Sequence, residues 1–448
     1  VSAESMSGNN FVGKALIDGI GVLVKKIKNR HTAQVQNIEQ DLPGLGSDWG
    51  LNVSTAVLLS DNYANAYLSG KVRGFDTSGI ASDTVGVKSI TVKAENVSRT
   101  SLEAFAYQNQ LTDTNGIVLN SKNTGISLPV LVGFQNNTAT AIAGGDLKVD
   151  AISADDKDAI TVEAVTRIPW EWESVPSDLT LMNFITTTFG ATTDQFFNIG
   201  SLSDSWAQGT ATVEDVGAAG SVSVMDYTGV ADAHIEKNAV IDIDNGDLKV
   251  NALNDITTVN FSGNISSPIT MLPWATWEST KNRFKNDVWG TEAEGAAIGG
   301  AAVAAHHKFT AKAYIEDSDM LNSELTGSVS ADNVNVDAKN DTLNLTLAAS
   351  GGKSGSVGID GTVNVTLTDN VTEAYIGQAN VSAETGSVKV KVIDNALVAA
   401  LGGGVGVSSG AVGVGGTIAY NHISRDTSAY INGIVTANDA VEVNAKNT

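Results

Sequence analysis

Thr372–Asn395 reads TEAYIGQANVSAETGSVKVKVIDN, and Thr427–Asn447 reads TSAYINGIVTANDAVEVNAKN. The second stretch restates the first 55 residues on, Ala374-Tyr375-Ile376 returning as Ala429-Tyr430-Ile431. Upstream, the triplet recurs as Ala313-Tyr314-Ile315, Ala233-His234-Ile235, Ala141-Ile142 and Ala66-Tyr67-Leu68. A second module follows each one: ITVKAEN (Ile90–Asn96), DLKVDAI (Asp146–Ile152), DLKVNALN (Asp247–Asn254), NVNVDAKN (Asn333–Asn340), VKVKVIDN (Val388–Asn395) and VEVNAKN (Val441–Asn447).

Each module alternates apolar and polar residues, the signature of a strand with one buried face. The modules are rich in Val, Ile and Thr, which suit a pleated surface. Gly, Asn and Asp mark turns at Gly144–Asp146, Asn245–Asp247 and Thr385–Ser387. No long amphipathic helix separates the modules, which excludes βαβ units. The pattern therefore predicts an all-β chain, a right-handed parallel β-helix in which each coil buries its apolar side against the next. Small inward residues fill the coil, and Asp, Glu, Lys and Thr face out. A 55-residue unit exceeds one coil of about 20 residues, so the expectation is about three coils per unit, some 18 coils and a rod of about 85 Å.

The whole chain, 1–448, is expected to be one solenoid fragment of a longer repeat protein. Its last repeat leaves an edge with no evident cap, and VSAESMSGNN at the start lacks the features of a signal peptide. Three segments break the repeat, at about 25–50, 168–206 and 267–290, and they hold all seven Trp. PWEWES (Pro169–Ser174) and PWATWES (Pro273–Ser279) are cousins, so the insertions themselves recur. Ser177-Asp178 marks a helix start, and Glu278–Val288 suits a helix. The insertions are read as partly helical loops extruded from the rod. Their aromatics either pack as small satellite cores or form a recognition surface. On the second reading the binding residues are Trp170, Trp172, Trp206, Trp274, Trp277 and Trp289.

Composition narrows the partners. Acidic residues number 50 against 27 basic, a formal charge of −23 that repels nucleic acid and anionic lipid. With no Cys there is no disulfide framework and no thiolate metal site; the same absence suits a bacterial surface protein exported unfolded. Ala396–Tyr420, ALVAALGGGVGVSSGAVGVGGTIAY, carries no charge, but its valines alternate with small residues, as in a strand rather than a membrane helix. No direct membrane insertion is expected. His306-His307 on a strand face opposite sides, so they make no metal pair. Gly352-Lys353-Ser354 lacks the rest of a phosphate loop, and DIDNGD (Asp242–Asp247) lacks the closing Glu of a calcium loop. No catalytic residue, metal or cofactor is expected, and the chain is read as not an enzyme.

The Thr372–Asn395, Leu401–Ile431 and Ala440–Asn447 cycle resembles the passenger regions of very large autotransporter adhesins, namely fusobacterial outer-membrane adhesins and leukotoxin-like filamentous adhesins. Weaker copies extend the resemblance from about Ala64, while the Trp-bearing insertions depart from it. The resemblance implies a right-handed β-helix exported by a type V route to the bacterial cell surface or secreted. It implies attachment to a protein or glycan receptor on host cells or other bacteria, and it carries over no catalytic residue. The expected fragment is a monomeric adhesin stalk. The alternatives are a secreted cytotoxin and, further off, a polysaccharide-degrading enzyme on the same fold.

Overall fold

The computed structural model describes residues 2–6, 34–37, 49–98, 102–108, 111–112, 118–120, 124–151, 158–169, 204–264, 290–321 and 324–448. The described residues are strands and turns, with no helix among them. The partly helical character expected of the insertions falls on 25–33, 38–48, 170–203 and 265–289, outside the described residues; within the segment 25–50, Gln34–Asn37 and residues 49–50 are strand.

Three parallel sheets stack into a β-solenoid. The front sheet has six parallel strands, each of 20 residues: Trp49–Leu68, Thr124–Ala143, Val216–Ile235, Ala296–Ile315, Val357–Ile376 and Val412–Ile431. They define six rungs. A short sheet runs from Lys71–Val72 to Ile434–Ala437. The back sheet is longest at Val334–Ser354 and Val388–Ser408. Among the described residues, antiparallel pairing is limited to Gln34–Asn37 on the first front strand, to the small hairpins Leu111–Thr112/Val118–Asn120 and Met320–Leu321/Glu324–Leu325, and to an isolated bridge between Phe75 and Ala81.

The circuit is plainest near the end of the chain. From front strand Val357–Ile376 it passes through short strand Asn380–Ala383 and back strand Val388–Ser408. It then returns to the front beside its starting point, Val357 opposite Val412 and Ile376 opposite Ile431. One 55-residue repeat is thus one coil, not three. The strands are three to four times longer than the five or six residues typical of a strand, so a single circuit consumes the whole repeat. Six front strands at about 4.8 Å stack to only about 25 Å, while a 20-residue strand reaches up to about 65 Å. The expected count of coils and the expected rod length are both corrected downward. A second correction concerns Asp146–Asp150. It looks like Asp247–Asn254 in sequence, but it pairs with Val240–Asp244 in the short sheet, and the back-sheet partner of Asp247–Asn254 is Asp158–Ile168. The shared D-L-K-V pattern specifies a strand without specifying which sheet it joins.

Each coil has two parts. The ends of the front strands, the short sheet and the first residues of the back strands enclose a three-sided prism. Its core is apolar and stacks rung on rung, for instance Ala233, Ile235, Ile241, Val250 and Ala252 beneath Ala313, Ile315, Val329, Val336 and Ala338. Outside it, charges pair across rungs: Lys148 Nζ lies 2.5 Å from Asp242 and 3.2 Å from Asp244, and Lys312 lies 2.9 Å from Glu373. Here the small residues point in and the charged ones out, as the alternation predicts.

Beyond the prism the front and back strands run on face to face as a flat wing. At the junction stands one column of the back sheet: Asn96, Thr166, Asn254, Asn340, Asp394 and Asn447. Its side chains tie the two sheets together. Asn254 Nδ2 donates to Asn340 Oδ1 at 2.7 Å, and Asn340 Nδ2 donates to Thr372 Oγ1 at 2.7 Å. Asn96 Nδ2 donates to the Asn62 carbonyl at 2.8 Å, and Thr166 Oγ1 to the Val230 carbonyl at 3.0 Å. Such bonds offset the cost of burying an amide, although Asn254 Oδ1 is left without a partner.

The wing reverses the prism. In its first four rungs a cluster with Leu58, Leu131, Met225, Tyr227, Ile256 and Phe309 fills part of the interior. By the fifth rung hydroxyls and amides have taken over. Thr346 and Thr366 hydroxyls meet at 2.7 Å, and Asn364 Nδ2 donates to the Thr346 and Leu401 carbonyls at 3.0 Å. Toward the tip the sheets close further. A Cβ on Gly358 would stand 2.7 Å from the Val407 carbonyl oxygen, and one on Gly413 would stand 2.5 Å from that of Gly406. Gly402, Gly404, Gly406, Gly413 and Gly415 therefore point inward and Val405, Val407, Val412 and Val414 outward, with Val412 and Val414 48% and 50% exposed. The stretch is strand, as read, but its apolar residues cover the outside. The expectation of charged outward positions fails over the first nine residues of the front strands, from the second rung to the sixth. An interior too thin for branched side chains leaves them only the outer face.

Candidate functional site

The Trp-bearing insertions leave and rejoin the back sheet in the wing. The chain departs after Ile168, which pairs with Ile256, and rejoins at Ser205, which pairs with Asn260. Residues 169–204 thus stand where the next rung spends only Thr257–Val259. The second insertion leaves after Asn264, opposite Ser350, and rejoins at Thr291, opposite Gly352, so a single residue of the next rung, Gly351, replaces it. The rejoining point of the first insertion is pinned. Asp204 accepts a 2.7 Å hydrogen bond from the Val259 N–H, and its own N–H donates to the Val259 carbonyl at 2.8 Å.

Of the six candidate Trp, Trp206 is described. It stands on the back sheet rather than in a loop and is only 3% exposed. Its ring lies 4.5 Å from Phe261 and 6.3 Å from Phe105, tilted against both, and its Nε1 donates to Gln208 Oε1 at 3.2 Å. Leu347 and Ala349 complete the cluster. An indole so enclosed anchors the strand and offers no face to a ligand. Trp170, Trp172, Trp274, Trp277 and Trp289 lie outside the described residues. Trp49 opens the first front strand.

A site the sequence reading passed over is an aromatic ladder on the outer edge of the prism. The middle residues of the Ala-Tyr-Ile triplets share one column. His234 stacks on Tyr314 at 4.5 Å, Tyr314 on Tyr375 at 4.8 Å and Tyr375 on Tyr430 at 4.8 Å. The recurrence of the triplet was the available signal. Carboxylates flank the column: Tyr430 Oη donates to Glu373 at 3.1 Å and Tyr67 Oη to Glu236 at 2.8 Å. Burial, with acids beside them, raises the phenol pKa values above the ordinary range, that of Tyr430 up to about 12. These phenols stay protonated and serve as donors. Their stacked faces cover one another, so only the ring edges and hydroxyls face solvent.

Further shifted groups lie inside the wing. His306 and His307 do face opposite sides. Outward His306 lies 3.2 Å from both Asp226 and Asp369. Inward His307 is fully buried, stacks on Tyr227 at 5.1 Å and meets the Thr258 hydroxyl at 2.9 Å. Burial lowers its pKa to about 3, so the ring stays neutral. Asp360 is 3% exposed and occupies the space left by Gly299 and Gly352. Burial raises its pKa to about 7 against a smaller downward pull from Asn264 and Ser350, and neither carboxylate oxygen has a well-formed hydrogen bond. Both groups are enclosed between sheets, where no substrate reaches them. Asn245 turns the DIDNGD stretch at φ 59°, while Asp242 and Asp244 pair with Lys148. Only Asn245-Gly246 turns, between the strands Val240–Asp244 and Asp247–Asn264, and no cluster of three metal-ligating side chains occurs among the described residues.

Comparison with protein-family models, with curated proteins and with solved structures gave no match for this chain.

Proposed function

We propose that this chain is a length of stalk from a bacterial surface adhesin, a right-handed β-solenoid whose Trp-bearing insertions are its binding elements. The observation that carries the reading is the unbroken register of the front sheet, in which each 20-residue strand pairs along its length with the next through six rungs. Such a scaffold stacks by repetition and is rigid along its axis. Right-handedness accords with the strong bias of parallel crossover connections. Both insertions leave from the same sheet in adjacent rungs, which would present them on one side. Loops on a rigid scaffold are the usual seat of recognition, and many copies on one cell bind by avidity. The sequence resemblance to type V-exported adhesin passengers points the same way: cell surface, a protein or glycan receptor, no catalysis.

The test compares the intact chain with one in which 170–203 and 265–289 are each replaced by a short turn, keeping buried Trp206. The expected result is binding to host cells, bacteria or arrayed glycans by the intact chain, lost in the shortened one at unchanged melting temperature. Equal binding by both would remove the insertions from the account. Lysis of leukocytes by the intact chain would favour the cytotoxin instead.

A further inference from the structure

We propose that the front face of the wing is a contact surface for a second copy of this chain, joined face to face about a twofold axis. This departs from the monomer expected from the sequence, and it stands or falls independently of any receptor.

The first nine residues of each front strand put five side chains outward. From the second rung to the sixth, none of these positions carries a charge, on a chain whose net charge is −23. Ile298, Ile359, Val363, Val414, Ile418 and Tyr420 are 42–65% exposed there. Five rungs at about 4.8 Å by nine residues at about 3.3 Å give a flat apolar area of about 700 Å². That exceeds the largest apolar patch of an ordinary monomer, about 300–600 Å². It also approaches the roughly 800 Å² that each partner contributes to a stable interface.

The face is shaped as well as apolar. Gly220, Gly300, Gly361 and Gly416 lie in register in one outward column. At Gly300, Gly361 and Gly416 the fold does not require glycine, whereas a Cβ on Gly220 would stand 3.3 Å from Leu128 Cδ1. A Cβ on Gly416 would meet nothing within 4 Å, and on Gly300 or Gly361 only a neighbouring carbonyl at 3.8 or 3.9 Å. Their backbone is ordinary strand, where glycine is otherwise disfavoured. The inward glycines Gly358 and Gly413, by contrast, are packed against opposing backbone. A glycine in a strand with open space outside suits the close approach of another backbone. The column forms a groove between a ridge with Ile298, Ile359 and Val414 and a ridge with Val222, Val363 and Ile418. In a twofold pair one ridge of each copy lies in the other copy's groove, a self-complementary, isologous contact. An acidic or basic partner would find no matching charge on this face.

Sedimentation of the full 448-residue chain from about 1 to about 100 µM tests the proposal. The expected result is a monomer–dimer equilibrium. Ile359→Asp with Val363→Asp should raise its dissociation constant at least about 100-fold, and Gly361→Leu, which fills the groove from outside, at least about tenfold. Circular dichroism and melting in the monomeric range should stay as in wild type. Gly416→Leu replaces any variant that fails to fold. A wild-type chain monomeric throughout, or a dimer indifferent to both changes, would overturn the proposal. So would a monomer that floats with neutral phosphatidylcholine vesicles and loses that property in the double Asp variant, since the face would then belong to lipid.

Discussion

In the strand Val357–Ile376, the last three inward positions carry Thr372, Ala374 and Ile376, and the first three carry Gly358, Asp360 and Thr362. The first set closes the prism and the second lines the wing. The same strand, in one regular pleat, thus moves from an apolar interior to one of glycines, hydroxyls and a carboxylate. The prism is stabilised by apolar burial, which is indifferent to orientation. The wing interior depends on aligned hydrogen bonds, each of small net value but costly to leave unmade. Position along the strand therefore decides what a substitution does.

The largest effect belongs to the prism. Val336→Asp places a carboxylate with no partner in the stacked core, where Val336 is fully buried. Stability should fall by at least about 4 kcal/mol in denaturant titration. Asn340→Ala, at the junction, removes an amide bonded to Asn254, Thr372 and the Val371 carbonyl. The expected loss is about 2–3 kcal/mol, and a smaller one would show that the column is not a staple between the sheets.

Asp360→Asn sharpens the comparison through pH. The Asp360 pKa lies above that of an unfolded carboxylate, at about 7. The fold therefore holds that proton more tightly, and the residue's contribution is complete below the unfolded value and lost as pH rises toward 7. Relative to wild type, the Asn variant should gain about 3–4 kcal/mol between pH 4 and pH 8. A difference that does not change with pH would place Asp360 in contact with water. Thr366→Val removes the hydroxyl that meets Thr346 in the wing, and melting curves should show a loss of about 1 kcal/mol. A gain would mean that the wing interior prefers apolar filling, as the prism does.

These contrasts also explain what could be read from the residues. Ala374-Tyr375-Ile376 and Val388–Asn395 announce strands, period and prism because alternation there separates apolar from charged. In Thr362–Val371 and Ala396–Tyr420 alternation separates apolar from polar or small, and a period of two does not say which set turns inward. The inward direction there follows from sheet spacing, which is a property of the coil. The coil size did leave a trace. Val357–Ile376 contains no Pro and no Asn-Gly or Asp-Gly pair at a β-hairpin, apart from Asp360-Gly361, where the strand runs straight through. Twenty residues without an effective turn imply a long strand. The stacked tyrosines were legible as a recurring triplet, whereas the burial of Trp206 was not. Its place among Phe105, Phe261 and Leu347 depends on a register set after the insertion rejoins the sheet.

The central claim is that one repeat makes one coil. The chain has no Cys, so a pair introduced at Glu373→Cys and Ser428→Cys reports on it cleanly. The two residues are 55 apart and directly paired on neighbouring rungs. Oxidation of the monomer should close an intramolecular disulfide, since adjacent parallel strands lie about 4.8 Å apart and a disulfide accepts Cα separations of about 4.4–6.8 Å. If a repeat made three coils, the same residues would stand about 14 Å apart, and the thiols would remain free.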